Sequence, residues 1–236
     1  MRKSNRRKRR KAKKRICLIF VFCICLIAGR QFLHSGKTNA SNDIAAYKYA
    51  SEENGWNLIL INSENLIPKD YEVDLIQLSN GEQVDARMYP ALQEMLDDAR
   101  AEGYGLFVRD GYRTQEEQQT LFDEKVSACR KDGNSKTEAK INAMKWVAVP
   151  GASEHQTGLA VDINADINKS ASLEVYNWLS KNAYKYGFIK RYHEDKTDLT
   201  GVMGEPWHYR YVGVDAAWEI YSQGLCLEEY IQALSQ

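Results

Sequence analysis

The sequence predicts an α+β domain built on a central antiparallel sheet flanked by helices, preceded by one membrane-spanning segment. Three observations predict it. Strand-like and helical stretches follow one another without the regular β–α–β alternation of a doubly wound sheet. A strongly basic N-terminal run passes directly into an apolar one. Apolar content of 44% and aromatic content of 11% are those of an ordinary globular chain, which sets disorder aside.

The 236 residues give room for one sizeable domain plus an appendage. A net charge of zero hides an uneven distribution. Residues 1–15 hold eleven Lys and Arg and no acid, leaving 21 basic against 32 acidic residues in the remainder. A basic run alone could be a nucleic-acid tail. Here residues 16–29 (ICLIFVFCICLIAG) follow it, and Gln31, Phe32 and Leu33 extend the run. That layout is a signal anchor, with residues 1–15 on the cytoplasmic side, residues 16–33 spanning the membrane and the acidic bulk outside. No A-x-A cleavage site or lipobox cysteine follows, so a retained, single-pass anchor is expected, and the acidic bulk excludes a nucleic-acid role.

Cys17, Cys23 and Cys25 lie inside the apolar run as small hydrophobes, and Cys129 and Cys226 do not make a disulfide framework. Without a C-x-x-C, a cysteine zinc site is excluded. Residues 34–55 are polar and read as a linker, leaving 56–236 as the domain.

Within the domain, Trp56–Asn62 (WNLILIN) reads as a buried strand. Met88–Glu102 spaces Leu92, Met95, Leu96 and Ala99 at helical intervals, and Gly105–Asp110 is a short strand. Thr114 and Glu117 form a capping-box pattern that starts a helix running toward Cys129, so Arg109 and Arg113 flank a strand-to-helix turn. In Leu159–Asn164 (LAVDIN), Leu159, Val161 and Ile163 share one face while Asp162 lies on the other. A helix from about Ala171 to Tyr186 turns Leu173, Tyr176, Leu179 and Ala183 inward and stops at Gly187. Strands near Phe188–Arg191 and His208–Val212 follow, and then a helix marked by Val214, Ala217, Trp218 and Tyr221.

Of four histidines, His34 falls in the linker and His193 in a polar loop. His155 stands in a small, polar loop leading into LAVDIN, where Gly158 lets the backbone bend so that His155 and Asp162 converge. His208 opens a later strand. Two histidines and one carboxylate with an open fourth position form a catalytic zinc ligand set. Glu205, three residues before His208, then stays free as general base. On spacing alone a satisfied structural His and Asp remains open.

Ser153–Asp162 (SEHQTGLAVD) and Glu205–His208 (EPWH) resemble the two signature blocks of the VanY-type zinc D-alanyl-D-alanine carboxypeptidase family, and Asp110–Thr114 (DGYRT) resembles its third. That family includes L,D-carboxypeptidases and shares its fold with the hedgehog signalling domain. The resemblance runs from about Leu58 to Val214. It implies one zinc ion per chain on His155, Asp162 and His208, Glu205 as base, and Arg113 stabilising the oxyanion of the tetrahedral intermediate. It also implies that Ser153 and Gln118 hold the terminal carboxylate of the substrate and that Tyr112 lines the site. Trp207 is expected to pack beside it. Two departures stand out: Asp110 replaces a usual Ser, and Val202 stands where many relatives carry Tyr.

The resemblance implies removal of a C-terminal D-alanine from peptidoglycan stem peptides or from the lipid-linked precursor; a monomer is expected, with its domain outside a bacterial membrane as the N-terminal runs require. An endopeptidase on the same zinc core is the rival within the enzyme class. A non-catalytic, zinc-containing wall-binding module is the rival outside it. No H-E-x-x-H, S-x-x-K or G-x-S-x-G motif competes.

Overall fold

The structure, a computed structural model, describes residues 48–235. The basic run 1–15, the apolar run 16–33 and the linker up to residue 47 lie outside the described residues. The fold takes in the end of the stretch that reads as linker. There β1 (Lys48–Tyr49) pairs in parallel with β2 (Asn65–Leu66). A hairpin of β3 (Leu75–Gln77) and β4 (Gln83–Asp85) follows. Then come α1 (Tyr89–Ala101), β5 (Leu106–Asp110), α2 (Gln115–Lys131) and α3 (Lys136–Met144). The chain continues through β6 (Ala160–Ala165), α4 (Ser172–Asn182), β7 (Phe188–Tyr192), the short α5 (Thr197–Thr200), β8 (Glu205–Tyr211), α6 (Val214–Gln223) and α7 (Leu227–Leu234).

The central sheet runs β5-β6-β8-β7 with every neighbour antiparallel, which makes the domain α+β. Its two faces differ because side chains alternate along each strand. Val161, Ile163 and Tyr209 look toward α1 and α4 and join the main core there with Leu92, Met95 and Trp178. On the other side, Ile189 packs with Ala217 and Ile220 of α6 and Leu227 and Tyr230 of α7 in a smaller core. The helix α1 buries the four residues its spacing marks, Leu92, Met95, Leu96 and Ala99. The Thr114–Glu117 capping box is formed, satisfying two otherwise orphan N–H groups at the start of α2.

Three expected elements differ. Trp56–Asn62 is not a strand: Trp56–Leu58 is a 3-10 turn and the rest is irregular. Its alternation is real, since Ile59 and Ile61 enter the main core while Leu58 and Leu60 face the smaller one. But among the described residues no strand lies alongside, and the Asn57 and Ile59 carbonyls instead accept from Nη2 of Arg210 at 3.1 and 2.8 Å. In α4 the buried residues are Val175, Trp178 and Leu179, while Leu173 in its first turn is exposed. In α6 the short side chains Ala216 and Ala217 face inward with Ile220, and Trp218 and Tyr221 lie outside against Tyr184.

Close backbone approach fixes the turn after β5. A Cβ on Gly111 would stand 2.2 Å from the Gln83 carbonyl oxygen, so only glycine fits between this turn and β4. Gly111→Ala should therefore cost roughly 1–3 kcal/mol through forced backbone displacement. Thermal melting checks this, and a Tm equal to that of the parent would show that the turn yields freely.

Candidate active site

The sheet face opposite the main core carries the chemistry. Asp162 alternates with buried Val161 and Ile163 in β6, and the β6–β8 register sets it directly opposite His208. Two of the three expected ligands are thus cross-strand neighbours, whose Cβ atoms sit about 5 Å apart in such pairs. His155 arrives from a 3-10 turn, Glu154–Thr157, which Gly158 ends at φ 73° in the left-handed region. The turn brings Nε2 of His155 to 3.4 Å from Oδ1 of Asp162, and Nδ1 of His208 lies 3.0 Å from the same oxygen. One ligand atom from each residue falls within 4.8 Å of the other two.

Both imidazoles are fixed from behind. Nδ1 of His155 lies 2.7 Å from the Gly111 carbonyl. A carbonyl only accepts, so Nδ1 carries the proton and Nε2 keeps its lone pair toward Asp162. Nε2 of His208 faces Oε2 of Glu154 at 3.4 Å, which leaves Nδ1 for the shared centre. Metal-binding histidines are commonly oriented by such a carbonyl or carboxylate on the second nitrogen.

The electrostatics ask for a cation. Burial holds the His155 imidazole below its ordinary value, and Arg113 adds to this, so it stays a neutral donor. For His208 burial acts in the same direction, but hydrogen bonds to Asp162 and Glu154 outweigh it and raise the imidazole to about 9. Burial pushes the Asp162 carboxyl up, yet the two histidines overcome this and hold it well below the usual range. A carboxylate and two imidazole nitrogens converging where positive charge is favoured suit zinc.

Glu205 borders this centre without joining it, its Oε2 3.8 Å from Nδ1 of His208. Burial pushes its carboxyl up to about 7; Asp162 reinforces the rise, while His208 and Arg113 oppose it. Arg113 donates from Nη1 to Oε1 of Gln118 at 2.7 Å, and Nε2 of Gln118 donates to the Ala148 carbonyl at 2.7 Å. Among the described residues, Nε of Arg113 is buried without a partner and so remains available to a ligand.

These groups line one open cleft of about 500 Å³, together with Ser153, Trp207 and Val202. An apolar wall of Leu121 and Trp146 faces them from the α2–α3 pair and the loop after it. The structure therefore gathers His155, Asp162, His208, Glu205, Arg113, Gln118 and Ser153 into the cleft. Tyr112 is not among the residues lining it, and its N–H donates to the Gln83 carbonyl. Asp110, the departure from the family block, does line it.

Sequence reading missed Glu154, Arg191 and Arg210. Glu154 is completely buried, with Oε1 accepting from Nε of Arg191 at 2.8 Å and Nη1 of Arg210 at 2.9 Å. Burial pushes its carboxyl up, but the two guanidinium groups hold it well below the ordinary range. The available signal was register: Arg210 lies two residues from His208 on the same strand face, and a buried arginine needs an acid beside it.

A three-ligand metal cluster, a neighbouring carboxyl outside it and a free arginine donor in one cleft define a metallohydrolase type of site. The sequence profile of the VanY family, D-alanyl-D-alanine carboxypeptidase, matches residues 81–214. A D-alanyl-D-alanine carboxypeptidase of Enterococcus faecalis is 56% identical over 190 residues, covering 80% of this chain and 71% of that protein. The putative carboxypeptidase YodJ of Bacillus subtilis is 39% identical over 195 residues, covering 76% of this chain and 68% of its own. Among solved structures, VanYB in complex with D-alanine-D-alanine superposes with a TM-score of 0.74 at 58% identity, covering 75% of this chain and 98% of that one. A mutant of the vancomycin-resistance D,D-pentapeptidase VanY, in complex with Zn(II), gives 0.73 at 58% identity, covering 75% and 99%. The chain belongs to the VanY family of D-alanyl-D-alanine carboxypeptidases.

Proposed function

We propose that this chain is a zinc-dependent D,D-carboxypeptidase that removes the C-terminal D-alanine from peptidoglycan stem peptides. The observation that carries the reading is the convergence of His155, Asp162 and His208, with Glu205 and Arg113 bordering them in one cleft. The D,D preference is supported by 58% identity to VanYB, whose structure holds D-alanine-D-alanine, against 39% to the LD-carboxypeptidase LdcB.

His155, Asp162 and His208 would hold the zinc ion. When bound, it supplies Lewis acidity that polarises the scissile carbonyl and acidifies the attacking water. Glu205, buried and outside the ligand set, takes the proton of that water and returns it to the leaving amine. Arg113 offers Nε and its remaining guanidinium donors to the oxygen on which negative charge grows. Gln118 holds Arg113 in place through Nη1, and Ser153 offers its hydroxyl to the substrate carboxylate. Residues 16–33 anchor the enzyme as a single-pass protein with its cleft outside the bacterial cell membrane, a reading supported by the basic run that precedes them.

The test is incubation of the purified full chain with a pentapeptide and a tetrapeptide stem, each with and without a chelator, with products read by mass. Loss of one alanine from the pentapeptide, abolished by chelator and restored by zinc, is the expected result. Both stems left intact with zinc bound would refute the carboxypeptidase reading, and cleavage of the tetrapeptide alone would transfer it to L,D-activity. In the same assay, Arg113→Ala should lower kcat roughly 100- to 1,000-fold with little change in zinc content. Unchanged kcat would remove Arg113 from the chemistry.

A further inference from the structure

We infer that the C-terminal helix orients a metal ligand from a distance, through the chain Glu228–Arg191–Glu154–His208, with Glu228 as the remote positioning residue. This rests on the zinc reading above and extends it to side chains that touch neither metal nor substrate.

The geometry turns on how two oxygens of one carboxylate are shared out. Oε1 of Glu154 accepts from both Arg191 and Arg210. Among the described residues, Oε2 has one polar partner, Nε2 of His208 at 3.4 Å. This division holds only while the other donors of both arginines are occupied. Arg210 spends Nη2 on the Asn57 and Ile59 carbonyls and Nε on that of Tyr211. Arg191 has no such carbonyls. Its fork, Nη1 and Nη2, is taken up by Glu228 of α7 at 2.8 and 2.6 Å, and Asn62 steadies Glu228 from outside at 3.3 Å.

Changing Glu228 to glutamine turns one of the two oxygens that hold this fork into a donor NH2, which leaves a guanidinium N–H buried with the Oε2 oxygen of Glu154 as the available anionic acceptor. A charge-assisted bond from guanidinium to carboxylate is stronger than the 3.4 Å contact with an imidazole. Arg191 would then capture Oε2, and His208 would lose the group that fixes its ring. Arg191 has 0% exposed side chain and Glu228 16%, so bulk water is a poor substitute for the carboxylate there. The helix is tethered separately through Lys196–Glu229, and Glu229 also caps the helix through the Cys226 N–H. Loosening the helix and breaking the chain to His208 are therefore separable.

The experiment compares the wild-type full chain with Glu228→Gln and Glu229→Ala. Zinc dissociation constants are read by competition with a chromophoric chelator, and the ligand field is read from the absorption of the cobalt(II) form. Glu228→Gln should weaken zinc binding roughly tenfold and shift the cobalt bands, as loss of groups behind metal ligands does. Glu229→Ala should lower Tm while leaving both readouts at wild-type values. Equal zinc affinity and spectra in Glu228→Gln and wild type would overturn the inference. So would equal weakening in both variants, since that is what a merely loosened helix would give. A wild-type chain that binds no zinc would instead sink the metal reading beneath it, a separate and recognisable failure.

Discussion

Replacing Glu205 with glutamine is expected to lower kcat by roughly 1,000-fold or more while zinc stays bound, because the change removes a proton acceptor and leaves every ligand in place. The side chain is 3.8 Å from Nδ1 of His208 and belongs to no metal-ligand group of the structure. It is also a poor candidate for a structural carboxylate. Burial raises it to about 7, whereas acids that serve folding, such as Glu154, are held low by arginines. A base works best when its pKa lies near the working pH, and this burial supplies that match. Alanine release and zinc content measured on the same preparation decide the matter. A variant that keeps zinc and turns over at the parental rate would assign the proton transfer elsewhere.

Glu154→Ala should produce the largest loss of stability. It removes the shared acceptor of two arginines whose side chains are 0% exposed, and leaving a buried charge uncompensated costs about 3–5 kcal/mol. For a domain of this size that corresponds to a fall in Tm of roughly 6–20 °C. Zinc affinity should fall with it, about 10- to 100-fold, since His208 loses its support. Glu154→Gln keeps a neutral acceptor and should fall between the two. A melting curve unchanged in Glu154→Ala would mean that water reaches the arginines.

The same network sets the acid limit. Burial raises the carboxyls of Glu154 and Glu228, but Arg191, with Arg210 at Glu154, outweighs it, and both lie below their unfolded value of about 4.3 in the folded state. Groups depressed on folding contribute stability above the unfolded pKa and lose it as pH falls through the folded one. Tm should therefore hold near neutrality and drop progressively below about pH 4.3. Glu154→Gln should flatten that drop, which melting between pH 3 and 7 would reveal.

What could be read from sequence, and what could not, follows from the range of each constraint. The α1 pattern and the LAVDIN alternation depend on neighbours a few residues apart, and both recur in the structure with their inward faces intact. The inward face of α6 did not follow from size. Trp218 and Tyr221 look like core residues, yet the helix turns Ala216, Ala217 and Ile220 inward and leaves both aromatic rings outside against Tyr184. Helix α3 carries a Ser135–Glu138 capping box as plain as the one at Thr114, but Ala139 and Ala143 make too weak an apolar pattern to mark its inward face. The buried ionic network was out of reach for a different reason. Glu154, Arg191, Arg210 and Glu228 are up to 74 residues apart in the chain, and each alone resembles a surface charge. Arg191 and Arg210 come from neighbouring strands, Glu154 from the 3-10 turn and Glu228 from α7, so it takes the whole fold to bring them together.

The turn between β5 and α2 has a consequence for how such an enzyme can change. The Gly111 carbonyl holds the His155 ring, and the Arg113 N–H donates to the His155 carbonyl at 3.1 Å. Arginine and metal ligand are thereby laced to each other, and a shift in one displaces the other. The wall formed by Leu121 of α2 and Trp146 after α3 is tied to this pair one step removed, through Gln118, which accepts from Arg113 and donates to the Ala148 carbonyl, while the Leu121 and Trp146 side chains carry none of these bonds. The cleft thus has a fixed jaw and a replaceable one. Altered substrate choice should arise by exchanging the replaceable side, and grafting Leu121 and Trp146 equivalents between relatives would change what is cut while the cutting chemistry stays the same.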